Sequence, residues 1–434
     1  MESSRQVIER LRRRGHKAYW VGGCVRDRLL GRPVKDWDVA TSARPDEVCE
    51  IFPRARTIGR RFGVVAVRLR DDCVEVATFR QDGGYSDGRR PDRVEYTTDE
   101  RVDVRRRDFT INGMLLGPDS KQPIDFVGGK EDLDRKLVRA IGDPMARFAE
   151  DRLRMLRAVR FAASHGFEIE ARTMSAMRAY ADAITSVAAE RVRDELTRIL
   201  IEGGSRRGFE LLAASRLLER LLPEVLALRG VEQPPEFHPE GDVWTHTMLM
   251  LEQVRAPSAA LAWGVLLHDV GKPDTFQRAD RIRFHGHVRR GVELAGAICA
   301  RLRFSNAEAA RVRALVGNHM KFADLRQMRP ARRRRFLEQP HFEEHLELHR
   351  VDCLASHGQL DNYSFAEAES SRLAAEEPVV RLITGHDLKA AGYAPGPLFG
   401  TILAEVEDRQ LDGRLGGRDE ALEYVKSRFP LPNR

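Results

Sequence analysis

The sequence predicts an α+β N-terminal region, with a mixed or antiparallel sheet flanked by helices, followed by an all-α remainder. Short apolar segments with the period-two pattern of strands lie within the first 80 residues. From residue 146 onward the apolar residues recur with the period of a helix. The chain has 434 residues, and a single hydrophobic core rarely serves more than about 250–300. We therefore expect several domains.

Charge and cysteine content indicate the class of partner and the compartment. The formal net charge is +7, and much of the excess is arginine in short runs. A basic balance favours a polyanionic partner such as nucleic acid, although ordinary arginine usage explains it equally well. The five cysteines are scattered without a Cys-x-x-Cys pair, which is typical of a reducing, cytoplasmic compartment. We find neither a signal peptide nor an apolar run long enough to span a membrane.

The first elements lead to a pair of acids. Residues 5–14 pattern as an amphipathic helix, and residues 16–21 as a strand that runs into the turn Gly22-Gly23. A basic helical turn follows, and then Asp36 and Asp38 on a predicted strand, where alternation places them on one face. Two carboxylates beside a glycine turn suit a Mg²⁺–triphosphate complex. The alternative is a solvated turn with two surface acids.

A third acid lies on a later strand. Residues 45–52 pattern as a helix, and residues 64–69 and 74–79 as strands separated by a turn at 70–72. Glu75 is the one acid in the apolar segment 74–78. It is either a third carboxylate of the site or a charge on the solvent face of an edge strand, and the sequence favours neither. Residues 81–91, rich in glycine, are expected to form a mobile loop.

Arginines follow in two places. Arg106-Arg107-Asp108 suits phosphate or ribose contacts, with Asp108 as an anchor for the arginines or a helix cap. Residues 146–163 are predicted to form one helix that presents Asp151, Arg154 and Arg157 at steps of three, with a buried stripe nearly opposite. A salt-bridged surface would show the same spacing. The surplus of arginine over acid on this helix, with Arg160 at the edge of the stripe, favours an anion.

Histidines and acids recur through the helical second half. The Pro-rich segment 233–241 is the best domain boundary. Imidazole and carboxylate together form a common divalent-metal shell, and the candidate ligands are His246, His268, Asp269, His287, His319 and Asp352. His285 is a further candidate. His341, His345 and His349 have helical spacing, but glutamates surround them and we expect an exposed face.

The ordered motifs together resemble the class II tRNA nucleotidyltransferases and bacterial poly(A) polymerases. The motifs are Gly22-Gly23-x-Val25-Arg26-Asp27-x-Leu29-Leu30-Gly31 with Asp36-x-Asp38, Asp87-Gly88-Arg89-Arg90-Pro91, Arg106-Arg107-Asp108-Phe109-Thr110-Ile111-Asn112, and Glu150-Asp151-x-x-Arg154-Met155-Leu156-Arg157. The second-half histidines resemble an HD phosphohydrolase domain. Residues 382–397 resemble the tail segment found with these enzymes. The resemblance implies a polymerase-β-like head (1–140), a helical neck and body (141–235), an HD domain (240–360) and a helical tail (361–434).

The resemblance also implies a function and a set of roles. The expected enzyme adds CMP and AMP from CTP and ATP to the tRNA 3′ end, and an enzyme adding only A or only CC, or a poly(A) polymerase, stays open. Mg²⁺ would be held by Asp36 and Asp38, with Glu75 completing the set. Nucleotide contacts would come from Gly23, Arg26 and Arg107, base recognition from Asp151 and Arg154, and support from Arg157 and Arg160. The loop Asp87–Pro91 resembles that of enzymes able to add A.

The HD half implies a second chemistry. A divalent transition metal at its histidines would support a phosphatase or phosphodiesterase activity. A hypothesis of another class is that this hydrolase is the main activity and the first half a degenerate RNA-binding platform. The intact Asp36-x-Asp38 and Asp151/Arg154 pairs argue against that hypothesis.

Overall fold

The computed structural model describes residues 1–59, 63–69, 72–85, 88, 91–236, 238–377 and 379–431. The chain divides into two compact units. Unit 1 comprises Met1–Arg229, Ala256–Trp263 and Gly296–Ala309. Unit 2 comprises Gly230–Arg255, Gly264–Ala295 and Ala310–Arg434.

Unit 1 contains the main sheet, as the strand patterns predicted. In chain order the strands are β1 (Ala18–Val21), β2 (Val39–Thr41), β3 (Arg56–Gly59), β4 (Val64–Leu69), β5 (Asp72–Thr78), β6 (Arg80–Gly83), β7 (Arg93–Tyr96), β8 (Met114–Leu116), β9 (Ile124–Asp125), β10 (Leu137–Val138), β11 (Glu168–Ile169), β12 (Gln277–Arg278) and β13 (Ile282–Arg283). Seven of them form one sheet in the order β3-β4-β5-β2-β1-β8-β9. Within this seven-stranded sheet the β2–β5 pair is parallel and the other pairs are antiparallel. The predicted mixed sheet is therefore confirmed.

Helices of unit 1 pack against this sheet, and helices are the main regular elements of the described part of unit 2. In chain order they are α1 (Glu2–Arg13), α2 (Gly23–Leu29), α3 (Pro45–Ile51), α4 (Glu100–Arg105), α5 (Gly129–Asp134), α6 (Pro144–Glu150), α7 (Arg154–His165), α8 (Ala171–Tyr180), α9 (Ala189–Ile201), α10 (Ser205–Ala214), α11 (Leu217–Leu221), α12 (Pro223–Leu226), α13 (Val243–Gln253), α14 (Ala259–Leu267), α15 (Lys272–Thr275), α16 (His287–Arg301), α17 (Asn306–Asn318), α18 (Pro330–Leu337), α19 (Phe342–Ala355), α20 (Asp361–Ala375), α21 (Gly385–Ala390), α22 (Pro397–Leu411) and α23 (Arg418–Arg428). No helix in the described ranges has the length and apolar character needed to cross a bilayer.

Two predicted elements are wrong in a way that matters for the site. Asp36 and Asp38 do not lie on a strand, because β2 begins at Val39 and residues 32–38 carry no regular structure. The helix predicted over 146–163 is two helices, since α6 ends at Glu150 and α7 begins at Arg154. The predicted core stripe of α7 is confirmed, because Leu156 and Val159 are fully buried and Ala163 nearly so.

The sheet and α2 place the acids beside the glycine turn. The N–H of Val21, the last residue of β1, donates to the carbonyl of Asp38 at 3.1 Å, which extends the β1–β2 ladder by one residue. Gly22 then turns the chain with φ of 77°, a left-handed conformation that glycine adopts without a Cβ penalty. Helix α2 starts at the next residue. The turn and the acids therefore share one end of the central strands.

Candidate active sites

The carboxylates predicted to hold Mg²⁺ lie together. Asp36 is exposed and Asp38 half-buried, and Glu75 on β5 is the next residue back from Val76, the parallel partner of Val39. Burial raises the pKa of Asp38, and the negative charges of Glu75 and then Asp36 raise it further, while Arg107 opposes them. Carboxylates that repel one another in this way are suited to a divalent cation, because its charge relieves the repulsion.

The predicted phosphate-binding arginine Arg26 is buried and rigidly held. Its Nε donates to Asp27 Oδ1 at 2.8 Å, and its Nη1 donates to Asn112 Oδ1 at 2.8 Å. The guanidinium also lies 5.0 Å from the centroid of the Phe161 ring. This orientation leaves Nη2 near the glycine turn, 3.5 Å from where a Cβ on Gly23 would stand. Arg26 therefore presents a fixed positive charge at the turn.

One buried carboxylate, Asp103, holds two further arginines. Its oxygens accept from Arg106 Nε and Nη2, at 2.9 and 2.6 Å, and from Arg107 Nη2 at 2.8 Å. Burial works to raise the pKa of Asp103, and the two guanidinium groups outweigh it and hold the pKa below its usual value. Asp103 was not among the predicted residues. An acid four residues before Arg107 at a helix end was the available signal.

The predicted base-recognition residues do not pair with each other. Asp151 lies in the break between α6 and α7, where its Oδ1 accepts from the Leu153 N–H at 3.1 Å. Its Oδ2 accepts from Arg191 Nη2 on α9 at 3.0 Å. Arg154 instead donates to Glu150 Oε2 at 2.7 Å and to the carbonyl of Arg106 at 3.1 Å. Two residues held independently can present an acceptor and a donor to the same ligand edge.

The remaining arginines of α7 are paired with acids from other elements. Arg157 donates to Asp108 Oδ2 through Nε and Nη2, at 2.9 and 2.6 Å. Asp108 therefore anchors Arg157 and not, as predicted, the neighbouring Arg106 and Arg107, which Asp103 holds. Burial raises the pKa of Asp108, but the Arg157 guanidinium outweighs this effect and lowers the pKa to about 2. Arg160 donates to Glu195 at 2.7 Å and Glu202 at 3.2 Å. Acids from other elements therefore pair with the arginines of α7, which has no acid of its own. The anion site predicted from these arginines stays a prediction.

These side chains line one cavity of about 1230 Å³ in unit 1. Among its described lining residues are nine arginine or lysine side chains and six carboxylates. It contains Gly23, Arg26, Asp36, Asp38, Arg107, Asp151, Arg154, Arg157 and Arg160. Glu75 is not a lining residue and acts on the cavity through Asp38. A cavity of this size, with a positive excess and a carboxylate group at one end, can accept a nucleoside triphosphate and a metal ion.

The loop predicted to assist this site lies mostly outside the described residues. Of Asp87–Pro91, only Gly88 and Pro91 are described. Gly88 has φ of 61° and is packed so closely that a Cβ there would collide with the Arg152 guanidinium. The described part of the loop therefore lies against the segment that carries Asp151 and Arg154.

The histidines and acids predicted as metal ligands converge in unit 2. Two groups each have ligand atoms within 4.8 Å of one another: His246, His268 and Asp352, and Asp269, His287 and His319. The Nδ1 atoms of His268, His287 and His319 each lie 2.7–2.9 Å from the carbonyl three residues earlier. This contact fixes the tautomer with Nε2 facing the cluster.

The free nitrogens of this cluster fit a metal ion. The buried Nε2 atoms of His268, His287 and His319 make no hydrogen bond to any residue that the structure describes. Asp269 Oδ2 lies 3.0 Å from His268 Nε2, while Oδ1 lies 3.8 and 3.7 Å from the Nε2 atoms of His287 and His319. Burial lowers the pKa of His319 to about 4, so its imidazole is neutral and able to coordinate.

Two acidic partners complete the cluster. Burial works against the charge of Asp269, but His268 and Lys272 hold its pKa well below the usual value, with Lys272 Nζ at 2.7 Å. His246 is fully buried, with Nε2 at 3.1 Å from Asp352 Oδ1 and Nδ1 at 2.6 Å from Glu240 Oε1. Burial lowers the pKa of His246, but these two carboxylates outweigh it and raise the pKa to about 9. Glu240 and Lys272 were absent from the predicted set.

Two further predictions concerned His285 and the set His341, His345 and His349. His285 does not join the cluster and instead lines a separate cavity of about 740 Å³ next to His287. The expected exposed face at His341, His345 and His349 is wrong for the last two, which are buried. His349 stacks on Phe322 at 4.3 Å, and His345 packs edge-on against Phe336. Burial lowers the pKa of both to about 4, so they are neutral core residues.

Comparisons with known proteins identify a polymerase head domain and an HD domain in this chain. Family models match as "Poly A polymerase head domain" over residues 18–139, "Probable RNA and SrmB- binding site of polymerase A" over 166–228 and "HD domain" over 242–354. Polymerase heads and HD domains generally use divalent metals. The sequence-based resemblance is thereby confirmed.

The three similar proteins described next are all CCA-adding enzymes. A CCA-adding enzyme of Geobacillus thermodenitrificans is 36% identical over 298 residues, which are 68% of this chain and 69% of that protein. One of Bacillus subtilis is 40% identical over 215 residues, 50% of this chain and 54% of that protein. The solved structure of the Bacillus stearothermophilus CCA-adding enzyme in complex with CTP is 25% identical, with a TM-score of 0.75 over 98% of this chain and 97% of that one.

Proposed function

The chain belongs to the family of CCA-adding enzymes, which are nucleotidyltransferases, and on this premise we propose that it transfers CMP and AMP from CTP and ATP to the tRNA 3′ end. The observation that carries the proposal is the single cavity that joins Asp36 and Asp38 to Asp151 and Arg154. A similar protein was solved with CTP. The five cysteines form no disulfide with one another in the described structure, which fits a cytoplasmic protein.

We assign the roles within this cavity as follows. Asp36 and Asp38, assisted by Glu75, would hold Mg²⁺, which when bound supplies charge neutralisation at the triphosphate and activation of the attacking hydroxyl. Arg26 and Arg107 would contact the triphosphate, because carboxylates on their far side fix both guanidinium groups. The turn at Gly23 lets the chain come close to a phosphate.

The base would be recognised by the break between α6 and α7. Asp151 offers carboxylate oxygens as acceptors, and Arg154 offers guanidinium donors, so cytosine and adenine can both be matched at their Watson–Crick edges. The two side chains are held by different partners, Arg191 for Asp151 and Glu150 for Arg154. Arg157 and Arg160 would support this segment through Asp108 and Glu195. We propose the domain limits 1–140, 141–235, 240–360 and 361–434 for head, neck and body, HD domain and tail.

Extension assays on defined tRNAs test the product. With Mg²⁺, CTP and ATP, tRNAs ending at the discriminator base, at C and at CC should gain three, two and one nucleotides. Extension of the last substrate alone would identify an A-adding enzyme. Two nucleotides on the first substrate, one on the second and none on the third would identify a CC-adding enzyme, and an unlimited A ladder a poly(A) polymerase. Asp36→Asn should abolish extension. Asp46→Asn, which removes an exposed acid on α3 in the same unit, should not.

We propose a phosphohydrolase activity as a second function, because the cluster in unit 2 presents buried, unbonded imidazole nitrogens. His246, His268, Asp269, His287, His319 and Asp352 would hold a divalent transition metal. Its bound form supplies a nucleophilic water for a phosphate ester. Release of phosphate from RNA with a 3′-phosphate, or opening of a 2′,3′-cyclic end, should require a divalent transition metal and disappear in Asp269→Asn while extension persists. Loss of both activities in Asp269→Asn, or in Asp36→Asn, would contradict two separate sites.

A further inference from the structure

The four histidines of the metal cluster are not held alike. His268, His287 and His319 each direct Nδ1 to a backbone carbonyl one helical turn earlier. His246 instead directs Nδ1 to a carboxylate, Glu240 Oε1, at 2.6 Å. A carboxylate behind a metal-ligating imidazole orients the ring and increases its basicity more than a neutral carbonyl does.

The backbone of the segment before α13 places the Glu240 carboxylate next to His246. Gly241 has φ of 123°, in the region that favours glycine, and the chain turns there between Glu240 and the helix N-cap Asp242. The Glu240 side chain is 7% exposed although its residue lies outside any helix or strand. Its Oε2 is buried without a hydrogen bond to any described residue. Burial of a carboxylate is costly unless it is paired, and the described side chains that pair with this one are His246 and His238.

A second histidine, His238, also contacts the Glu240 carboxylate. His238 Nδ1 lies 2.9 Å from the same Oε1 of Glu240. Its ring packs edge-on against His246 with centroids 4.9 Å apart. His238 is half-buried, whereas His246 is fully buried. Glu240 is therefore the link between the segment before α13 and the fully buried His246.

We propose that Glu240 is a positioning residue of the metal centre: it fixes the His246 ring with Nε2 toward His268 and Asp352, and its negative charge strengthens that imidazole as a ligand. The inference rests on the proposed function of the cluster in unit 2. The fixed orientation matters because His246 Nε2 already lies 3.1 Å from Asp352 Oδ1. A rotation of the ring would replace that nitrogen by a carbon.

The test is the affinity of the full-length chain for Co²⁺ alone, measured by competition with a chromogenic chelator. Glu240→Gln keeps the shape and an acceptor oxygen but removes the charge. It should raise the Co²⁺ dissociation constant by about 10–100-fold and shift the visible absorption bands of bound Co²⁺. Glu236→Gln is the matched control, since it removes an exposed charge four residues away in the same segment, and its affinity should equal that of the wild type.

The outcomes separate this inference from the proposed function. Wild-type binding with an unchanged dissociation constant in Glu240→Gln would overturn the role of Glu240 alone. Absence of Co²⁺ binding in the wild type would overturn the metal centre and this inference with it. His238→Ala should weaken binding less than Glu240→Gln, and an equal or larger loss would assign the effect to His238 instead. Far-UV circular dichroism of each variant confirms that it is folded.

Discussion

Replacing Asp103 by asparagine tests whether one buried carboxylate holds the arginines of the transferase cavity. The Asp103 side chain is 1% exposed and bonds to Arg106 and Arg107. It also accepts from the backbone N–H of Arg80 at 3.3 Å. Asparagine keeps the shape but removes the charge, and its amide donors would face guanidinium donors. The arginines would then lose the partner that orients them.

The structure sets the magnitude. Removal of one partner of a buried ion pair typically costs about 3–5 kcal/mol. Here Arg106 and Arg107 keep 19% and 18% of their side chains exposed, and Asp82 lies 3.6 Å from Arg106. Water and Asp82 can therefore compensate in part, so we expect a loss of about 2–3 kcal/mol. Because Arg107 lines the cavity, KM for CTP and ATP should also rise, by about tenfold.

The assay combines urea unfolding with steady-state kinetics of nucleotide addition. Glu95→Gln is the matched control, because it breaks an ion pair with Arg93 whose side chains are 54% and 78% exposed, and it should cost less than about 1 kcal/mol. If Asp103→Asn were no more destabilising than this control and left KM unchanged, Asp103 would not be the anchor of these arginines.

Three further predictions concern other contacts. Arg191→Ala should remove the partner that holds the Asp151 carboxylate at 3.0 Å and lower kcat/KM for both nucleotides by about tenfold or more. Unaltered kinetics would exclude Arg191 as the residue that orients Asp151. Burial keeps the pKa of His349 at about 4 against 6.5 when unfolded, so its contribution is complete above pH 6.5 and about 2 kcal/mol is lost by pH 5. His349→Phe, which retains a ring to stack on Phe322, should therefore lose less stability than the wild type between pH 7 and 5, and equal losses would contradict burial as the cause. Gly22→Ala should cost about 1–2 kcal/mol in urea unfolding because φ is 77° there, whereas Gly416→Ala, at an ordinary φ, should be nearly neutral.

The residue types and order of the motifs were enough to identify both candidate sites. The pair Asp36 and Asp38 and the pair Asp151 and Arg154 are separated by more than one hundred residues in sequence, yet they line one cavity. His246, Asp269 and Asp352 meet in unit 2 in the same way. Such residues are recognisable because their chemistry constrains the side chain itself. Helix and strand boundaries were also close, since apolar periodicity is a local property.

The partners of Asp151 and Arg157 could not be predicted, because they come from elsewhere in the chain. The spacing of Asp151, Arg154 and Arg157 suggested that they share one helical face. The fold instead breaks the helix after Glu150 and pairs these residues with Arg191, Glu150 and Asp108 respectively. Ion pairing depends on distance in space, which a helical period does not contain.

Burial of histidine was decided by tertiary packing as well. His345 and His349 stand among glutamates in sequence, but aromatic side chains cover them in the fold. Glu240 was likewise not predicted to be buried. It is a charged residue in a proline-rich segment, yet its side chain is buried and contacts His246. The sequence by itself determined the chemistry of the two sites and the order of their elements. Only the tertiary structure decided which acids support them, because desolvation and hydrogen-bond geometry arise when distant segments pack.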